Sequence, residues 1–174
     1  MKTLSKLLLI APAVMLSITS CTKQTIIIPD DNNLTACPVN SQCQSLFTEN
    51  ADLNEQNLAF LTGKYRLFWD EYQIQSHSTK IFVKAPMAGN SFHLKAEDIL
   101  AGRVLVIQGC ATCLTVAYKP VAGYVKGINR EPGKPADQSR WLLEAQIIRQ
   151  AMNHPELKDT LYFKRIFTPN FVYN

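Results

Sequence analysis

Alternation with a period of two, recurring in well-separated stretches, restricts what this chain can fold into more than any other feature. Tyr65, Leu67 and Trp69 alternate with Lys64, Arg66 and Asp70 in the stretch Tyr65 to Gln75, and Lys80 to Lys84 and Ser91 to Lys95 continue the pattern. Near the C-terminus, Leu161, Phe163, Arg165 and Phe167 alternate with Tyr162, Lys164 and Ile166. Successive side chains of a strand point to opposite faces, so these stretches predict strands with one buried and one wet face. Arg103 to Gln108 is almost continuously apolar and fits a central strand. Leu114 to Lys119 and Gly123 to Ile128, split by Pro120 and Ala122, suit a meander better than crossover helices.

Two stretches carry helical spacing instead. Asp52 and Glu55 have capping-box spacing, Leu53, Leu58 and Leu61 share a stripe, and Gly63 suits a left-handed cap, which predicts a short helix over about 52–62. Trp141, Ala145, Ile148 and Met152 recur at i, i+4, i+7 and i+11, and Leu142, Leu143, Ile147 and Ala151 widen the stripe. With Ser139 before it and Pro155 after it, this predicts the main helix over about 139–153. Asn129 to Gln138 is a Gly/Pro-rich loop. The expected class is α+β: a curled antiparallel β-sheet or partial barrel with one main packed helix and a short N-terminal one.

The N-terminus predicts location. Lys2 and Lys6 precede an apolar run from Leu7 to Ile18, too short for the roughly 20 residues of a spanning helix. Ile18-Thr19-Ser20-Cys21 resembles the lipobox of bacterial lipoproteins. The resemblance implies that residues 1–20 are a signal peptide and that Cys21 becomes the acylated, palmitate-bearing first residue. With Thr22 where an Asp would signal inner-membrane retention, it also implies the periplasmic face of the outer membrane. Residues 21–50 then read as a lipid-anchored tether, broken by Pro29, Pro38 and the polar cluster Asp30 to Asn33, and 51–174 as a single domain. The formal charge of +4 falls to about +2 without Lys2 and Lys6, and the remaining cations are scattered, which argues against nucleic acid as a partner. Lys158, Lys164 and Arg165 form the nearest thing to a basic patch and read as a solvated strand face.

Four further cysteines fall into two close pairs, Cys37/Cys43 and Cys110/Cys113, an even number suited to disulfides in an oxidising compartment. Local pairing and cross-pairing are both open; cross-pairing would restrict the unfolded chain more. Cys110-Ala111-Thr112-Cys113 has the spacing of a redox dithiol, but it lies between strand-like runs rather than at a helix start, where a thiol becomes reactive. A structural disulfide is the better reading. No metal or cofactor is called for: the cysteines are loosely spaced for zinc, and His77, His93 and His154 show no ligand or triad spacing. Asp70/Glu71 and Glu97/Asp98 are adjacent pairs that a strand would send to opposite faces, so no catalytic residue is proposed.

Two surfaces suggest protein partners. Ile26, Ile27 and Ile28 are out of place in a polar tether unless they pack on a sheet, either this chain's own or a partner's. The aromatic C-terminus, with Phe167, Phe171 and Tyr173, is a second partner-binding candidate if it is not part of the core.

The order of features from Leu61 to Phe163 resembles the META-domain family of small envelope lipoproteins. The matching residues are Leu61-Thr62-Gly63-Lys64-Tyr65-Arg66-Leu67, Gly109-Cys110, Tyr118, a helix carrying Glu144, and a closing strand at Leu161 to Phe163. The chain departs from the family at Ala111, where Asn is usual, and lacks its Thr-Met-x-x-Cys step. The resemblance implies a non-enzymatic, stress-linked or accessory envelope protein. The functional expectation is therefore a binding or scaffold lipoprotein that meets the membrane through its lipid and contacts other envelope proteins, with a subunit of a secretion-type assembly as one form. A periplasmic thiol-disulfide protein using Cys110 and Cys113 is the alternative.

Overall fold

The computed structural model describes residues 29–110 and 116–170. Cys21, Ile26, Ile27, Ile28, Cys113, Phe171 and Tyr173 lie outside those residues. The described chain is mostly β. Its strands are β1 (Gln42–Leu53), β2 (Phe60–Thr62), β3 (Tyr65–Ile74), β4 (His77–Pro86), β5 (Ser91–Leu94), β6 (Val104–Cys110), β7 (Tyr118–Asn129), β8 (Trp141–Ala151) and β9 (Lys158–Pro169). They form one nine-stranded sheet of order β5-β7-β8-β9-β1-β3-β4-β6, with β2 paired to the end of β1. Neighbours are antiparallel except β1 and β9, which run parallel and share only the register pairs Leu46/Thr168 and Phe47/Pro169. The sheet curls without closing, since β5 and β6 remain its two edges. Among the described residues, helix is confined to one turn, Ala96–Asp98, running into Ile99–Arg103, and to a 3-10 turn at Ala136–Gln138.

The strands expected from alternation are present, but both larger helices are not. Residues 141–151 form β8, paired to β7 and β9 along its whole length. Trp141, Leu143, Ala145, Ile147, Arg149 and Ala151 are all buried, so a period of two holds across the strand. The helical spacing arose because Leu142 and Ile148 on the other face are apolar too, and two strand partners override the helix preference of Ala, Leu, Glu and Gln. Residues 52–62 are the end of β1, a turn, and β2. Asn54 Oδ1 accepts from Gln56 N–H and Asn57 Oδ1 from Ala59 N–H, local bonds that favour turns over helix. Gly63 is no helix cap: a Cβ there would stand 2.6 Å from Asp52 Cβ and 2.7 Å from Ala51 O, so glycine lets the chain pass close to β1. The folded body also begins at Gln42, not at residue 51, because β1 is a central strand with Phe47 fully buried.

Two apolar layers result. Phe47, Phe68, Ile81 and Val83 from one half of the sheet pack with Phe92, Val125, Trp141, Leu143, Ile147, Phe163 and Phe167 from the other, filling the inside of the curl. Gly127 has no Cβ because the Phe92 ring lies against it. On the outer side of β1, β3 and β4, a smaller cluster of Ala51, Leu53, Leu67, Trp69 and Phe82 is flanked by Leu58 and Phe60 from the β1–β2 connection. This reverses one expectation. Arg66 and Asp70, placed on the wet face by alternation, share the inner face with Phe68, and Leu67 and Trp69 belong to the outer cluster.

Before β1, residues 29–41 are a strap rather than a free tether. Thr35 N–H donates to Lys164 O, and Lys164 N–H donates to Thr35 Oγ1 at 2.9 Å. Lys164 Nζ donates to Asp30 Oδ1 and to Asn32 O, each at 2.7 Å, and Asp31 pairs with Arg130. The strap thus runs beside β9, and the Cys37–Cys43 disulfide ties its far end to β1.

Candidate functional site

The inside of the curl holds polar groups that pair with each other. Asp70, 1% exposed at its side chain, accepts two bonds from Arg165 Nη1 at 2.9 and 3.0 Å and one from Ser45 Oγ. Burial pushes the Asp70 carboxyl up, against the pull of Ser45 and of the Arg165 charge. Arg66 donates from Nε to Glu49 Oε1 at 2.8 Å and from Nη2 to Met87 O at 3.2 Å, and its guanidinium lies 4.2 Å from the Trp141 ring centroid. Among the described residues, Arg66 Nη1 and Arg165 Nε are buried without a hydrogen-bond partner. Nearer the other end of β8, Arg149 is bidentate to Asp159 on β9 and lies beneath the Tyr118 ring, 5.3 Å from its centroid. These arginines and Asp70 were missed as interior groups because alternation alone does not distinguish a wet face from a buried, paired one.

Two of several shallow surface concavities lie against aromatic side chains. One, of about 220 Å³, lies where β6 and β7 approach without pairing and is lined by Val106, Gln108, Val116, Tyr118 and Arg149. The other, of about 280 Å³, lies on the outer side of β3 and β4, where Phe60 meets Trp69 edge-on at 4.7 Å, with Leu58 and Phe82 beside them. Lys80 and Glu71 pair at its rim at 3.0 Å. Neither brings together a nucleophile and a base. Among the described residues no group of His, Cys, Asp or Glu could hold a metal ion.

The residues singled out from sequence are scattered. Cys37 and Cys43 form a local disulfide, which settles their pairing. Cys110 ends β6 and is also disulfide-bonded. His77 opens β4, His93 sits on β5 and His154 lies in the β8–β9 turn beside Glu156. Burial, then the charges of Lys126 and Lys95, hold the His93 imidazole below its usual range. Asp70 and Glu71 do point to opposite faces, the first to Arg165 and the second to Lys80. Phe167 is core.

The fold therefore defines a class, a largely antiparallel open β-sheet body with a filled interior, and no more specific assignment follows from likeness to other proteins. No family model matches the chain, and no match was found among curated proteins or solved structures. The META-domain resemblance rests on the quoted residues alone, and of these Glu144 stands on strand β8 rather than on a helix.

Proposed function

We propose that this protein is a non-enzymatic lipoprotein, held on the periplasmic face of the outer membrane by acyl chains on Cys21. There it serves as a binding or scaffold module for other envelope proteins, either as a META-like stress-linked protein or as a subunit of an envelope-spanning, secretion-type assembly. The observation that carries the reading is the filled interior. Phe68 packs against Phe47, Phe92, Trp141 and Phe167 with ring centroids 5.5–5.7 Å apart, and Asp70 is spent on Arg165 and Ser45. A curled sheet packed in this way offers its outer surfaces and edges, not a central ligand chamber. The Cys37–Cys43 disulfide adds support for an oxidising compartment.

Labelling cells with a palmitate analogue tests the anchor: label in the membrane fraction is expected and should vanish in Cys21→Ser, and an unlabelled wild-type chain would overturn it. Pull-down from crosslinked envelopes tests the scaffold role, with recovery of a reproducible envelope protein expected and recovery of the chain alone counting against it. The thiol-disulfide alternative predicts insulin reduction lost in Cys110→Ala. The position of Cys110 at a strand end, without a helix dipole to stabilise a thiolate, favours a structural bond instead.

A further inference from the structure

The sheet fails to close along one line. β5 covers only Val125 to Ile128 of β7, so the first half of β7, from Tyr118 on, meets β6 across a gap that no strand pairing bridges among the described residues. This gap is the concavity of about 220 Å³ lined by Val106, Gln108, Val116, Tyr118 and Arg149. Val106 belongs to the core, Val116 is 45% exposed and Gln108 is exposed. Arg149 is the buried polar group of the lining, on the same inward row of β8 as Ile147 and Ala151.

Arg149 has donors to spare. A guanidinium carries five N–H groups in a rigid fork geometry, more than one carboxylate can use. Asp159 accepts from Nε at 2.8 Å and from Nη2. The remaining fork, Nη1 with the second N–H of Nη2, has no partner among the described residues. Arg66 Nη1 and Arg165 Nε are also unpartnered, but they are buried, whereas Arg149 lines an opening to the surface. Asp159 is not part of that lining; it holds the guanidinium in place together with the Tyr118 ring, 5.3 Å away, so little ordering remains for a ligand to impose.

We infer that the β6–β7 gap binds a small carboxylate joined to an apolar group. The carboxylate sits on the open fork of Arg149, and the apolar group lies against Val106, Val116 and the Tyr118 ring. The volume falls below the roughly 300 Å³ at which drug-sized pockets begin, so the body is the size of one residue. The last residue of a peptide and a free acid share this chemistry. An amine would meet a fixed positive charge. The seat owes nothing to a lipid anchor or a scaffold role, so its failure would leave both untouched.

Titration of the full chain with phenylpropionate, followed by NMR, tests it. Shifts at Val106, Val116 and Tyr118 are expected to saturate with a Kd of roughly 1 mM, within reach of a ligand of about a dozen atoms. Phenylpropionamide, which has the same body without the charge, should bind about tenfold more weakly. Equal binding of acid and amide, or no shifts with the acid at about 20 mM, would overturn the inference. Gln108→Glu and Gln108→Lys change the charge of an exposed side chain without disturbing a buried one. The first is expected to weaken the acid about fivefold and the second to strengthen it by a similar factor; an affinity unchanged in both would also overturn it. A tetrapeptide of three glycines and a C-terminal phenylalanine separates the two sources. Tighter binding than the free acid supports a chain terminus as the ligand, and equal or weaker binding supports a free small carboxylate.

Discussion

Two ion pairs of this sheet join different things. Arg149 and Asp159 are register partners on the adjacent strands β8 and β9, so their bond repeats a connection the backbone already makes. Asp70 and Arg165 link β3 to β9 across the place where the two halves of the sheet meet through only two parallel register pairs. The exposures differ as well: Asp159 is 40% exposed at its side chain and Asp70 is 1%. Side chains thus carry what the backbone omits. The strap, bonded to Lys164 on β9 and disulfide-tied to β1, spans the same seam.

Asp70→Ala should be the most damaging change, leaving Arg165 buried without a counter-charge and lowering stability by about 3–5 kcal/mol in urea titration. The combination Asp70→Leu with Arg165→Met should recover most of that loss, because apolar residues of similar size remove both charges together. If the combination is as damaging as Asp70→Ala, the pair is not the seam's tie. Replacing Cys37 and Cys43 by alanine opens a short loop and detaches the strap from β1, with an expected loss of about 2 kcal/mol. Amide exchange at Thr35 should rise with it. Asp159→Ala should cost about 1–2 kcal/mol: it leaves Arg149, 4% exposed, without its carboxylate, but water reaches the vacated position, the Tyr118 ring still faces the guanidinium and the backbone pairing persists.

The smallest effects are those of pH, and they run in opposite directions. Burial raises the Asp70 pKa, so its contribution is fully present below the ordinary aspartate value of about 3.9 and is lost as pH rises through its higher folded value. The stability gap between wild type and Asp70→Asn should therefore widen as pH falls from 7 toward 4. At Asp52 burial also pushes the carboxyl up, but hydrogen bonds from Lys84 and Leu53 N–H and the charges of Lys84 and Lys64 outweigh it, and the net shift is downward. That contribution is present above the ordinary value and lost as pH falls through the lower folded one. The Asp52→Asn gap should hold level from pH 7 to about 4 and shrink only as the titration continues below the ordinary aspartate value of about 3.9; an Asp52 gap that widens in step with that of Asp70 would contradict the assignment.

Much of the sheet was legible in the sequence. Strand-type alternation located β3, β4, β5 and β9, and the apolar run located β6, because these segments carry period-two or continuous apolar patterns over their full length. β8 was not, because both of its faces are apolar at Leu142 and Ile148 as well as at Trp141 and Leu143, and a two-sided strand mimics a wide helical stripe. β1 was missed for the opposite reason: Gln42, Gln44, Ser45 and Glu49 look solvated, although Ser45 and Glu49 serve Asp70 and Arg66 inside the curl. Of the candidate sites, the even cysteine count pointed correctly to a disulfide, but only the fold shows that Cys37 pairs with Cys43. The buried arginines could not have been found from pattern, since their meaning depends on partners from distant strands.

The meeting of β1 and β9 joins the beginning of the described chain to its end: Thr35 reaches Lys164 across 129 residues, and Asn170 N–H donates to Phe47 O at 2.8 Å. Contacts so distant along the sequence close late in folding, after the local hairpins. A chain delivered only as far as β6 therefore presents Phe47, Phe68 and Ile81 with nothing to cover them. Truncation after Cys110 is accordingly expected to give particles visible by light scattering rather than monomers, and a monomeric fragment would refute this. Until the last strand is in place, the same three side chains are where a holding chaperone would have to protect the polypeptide.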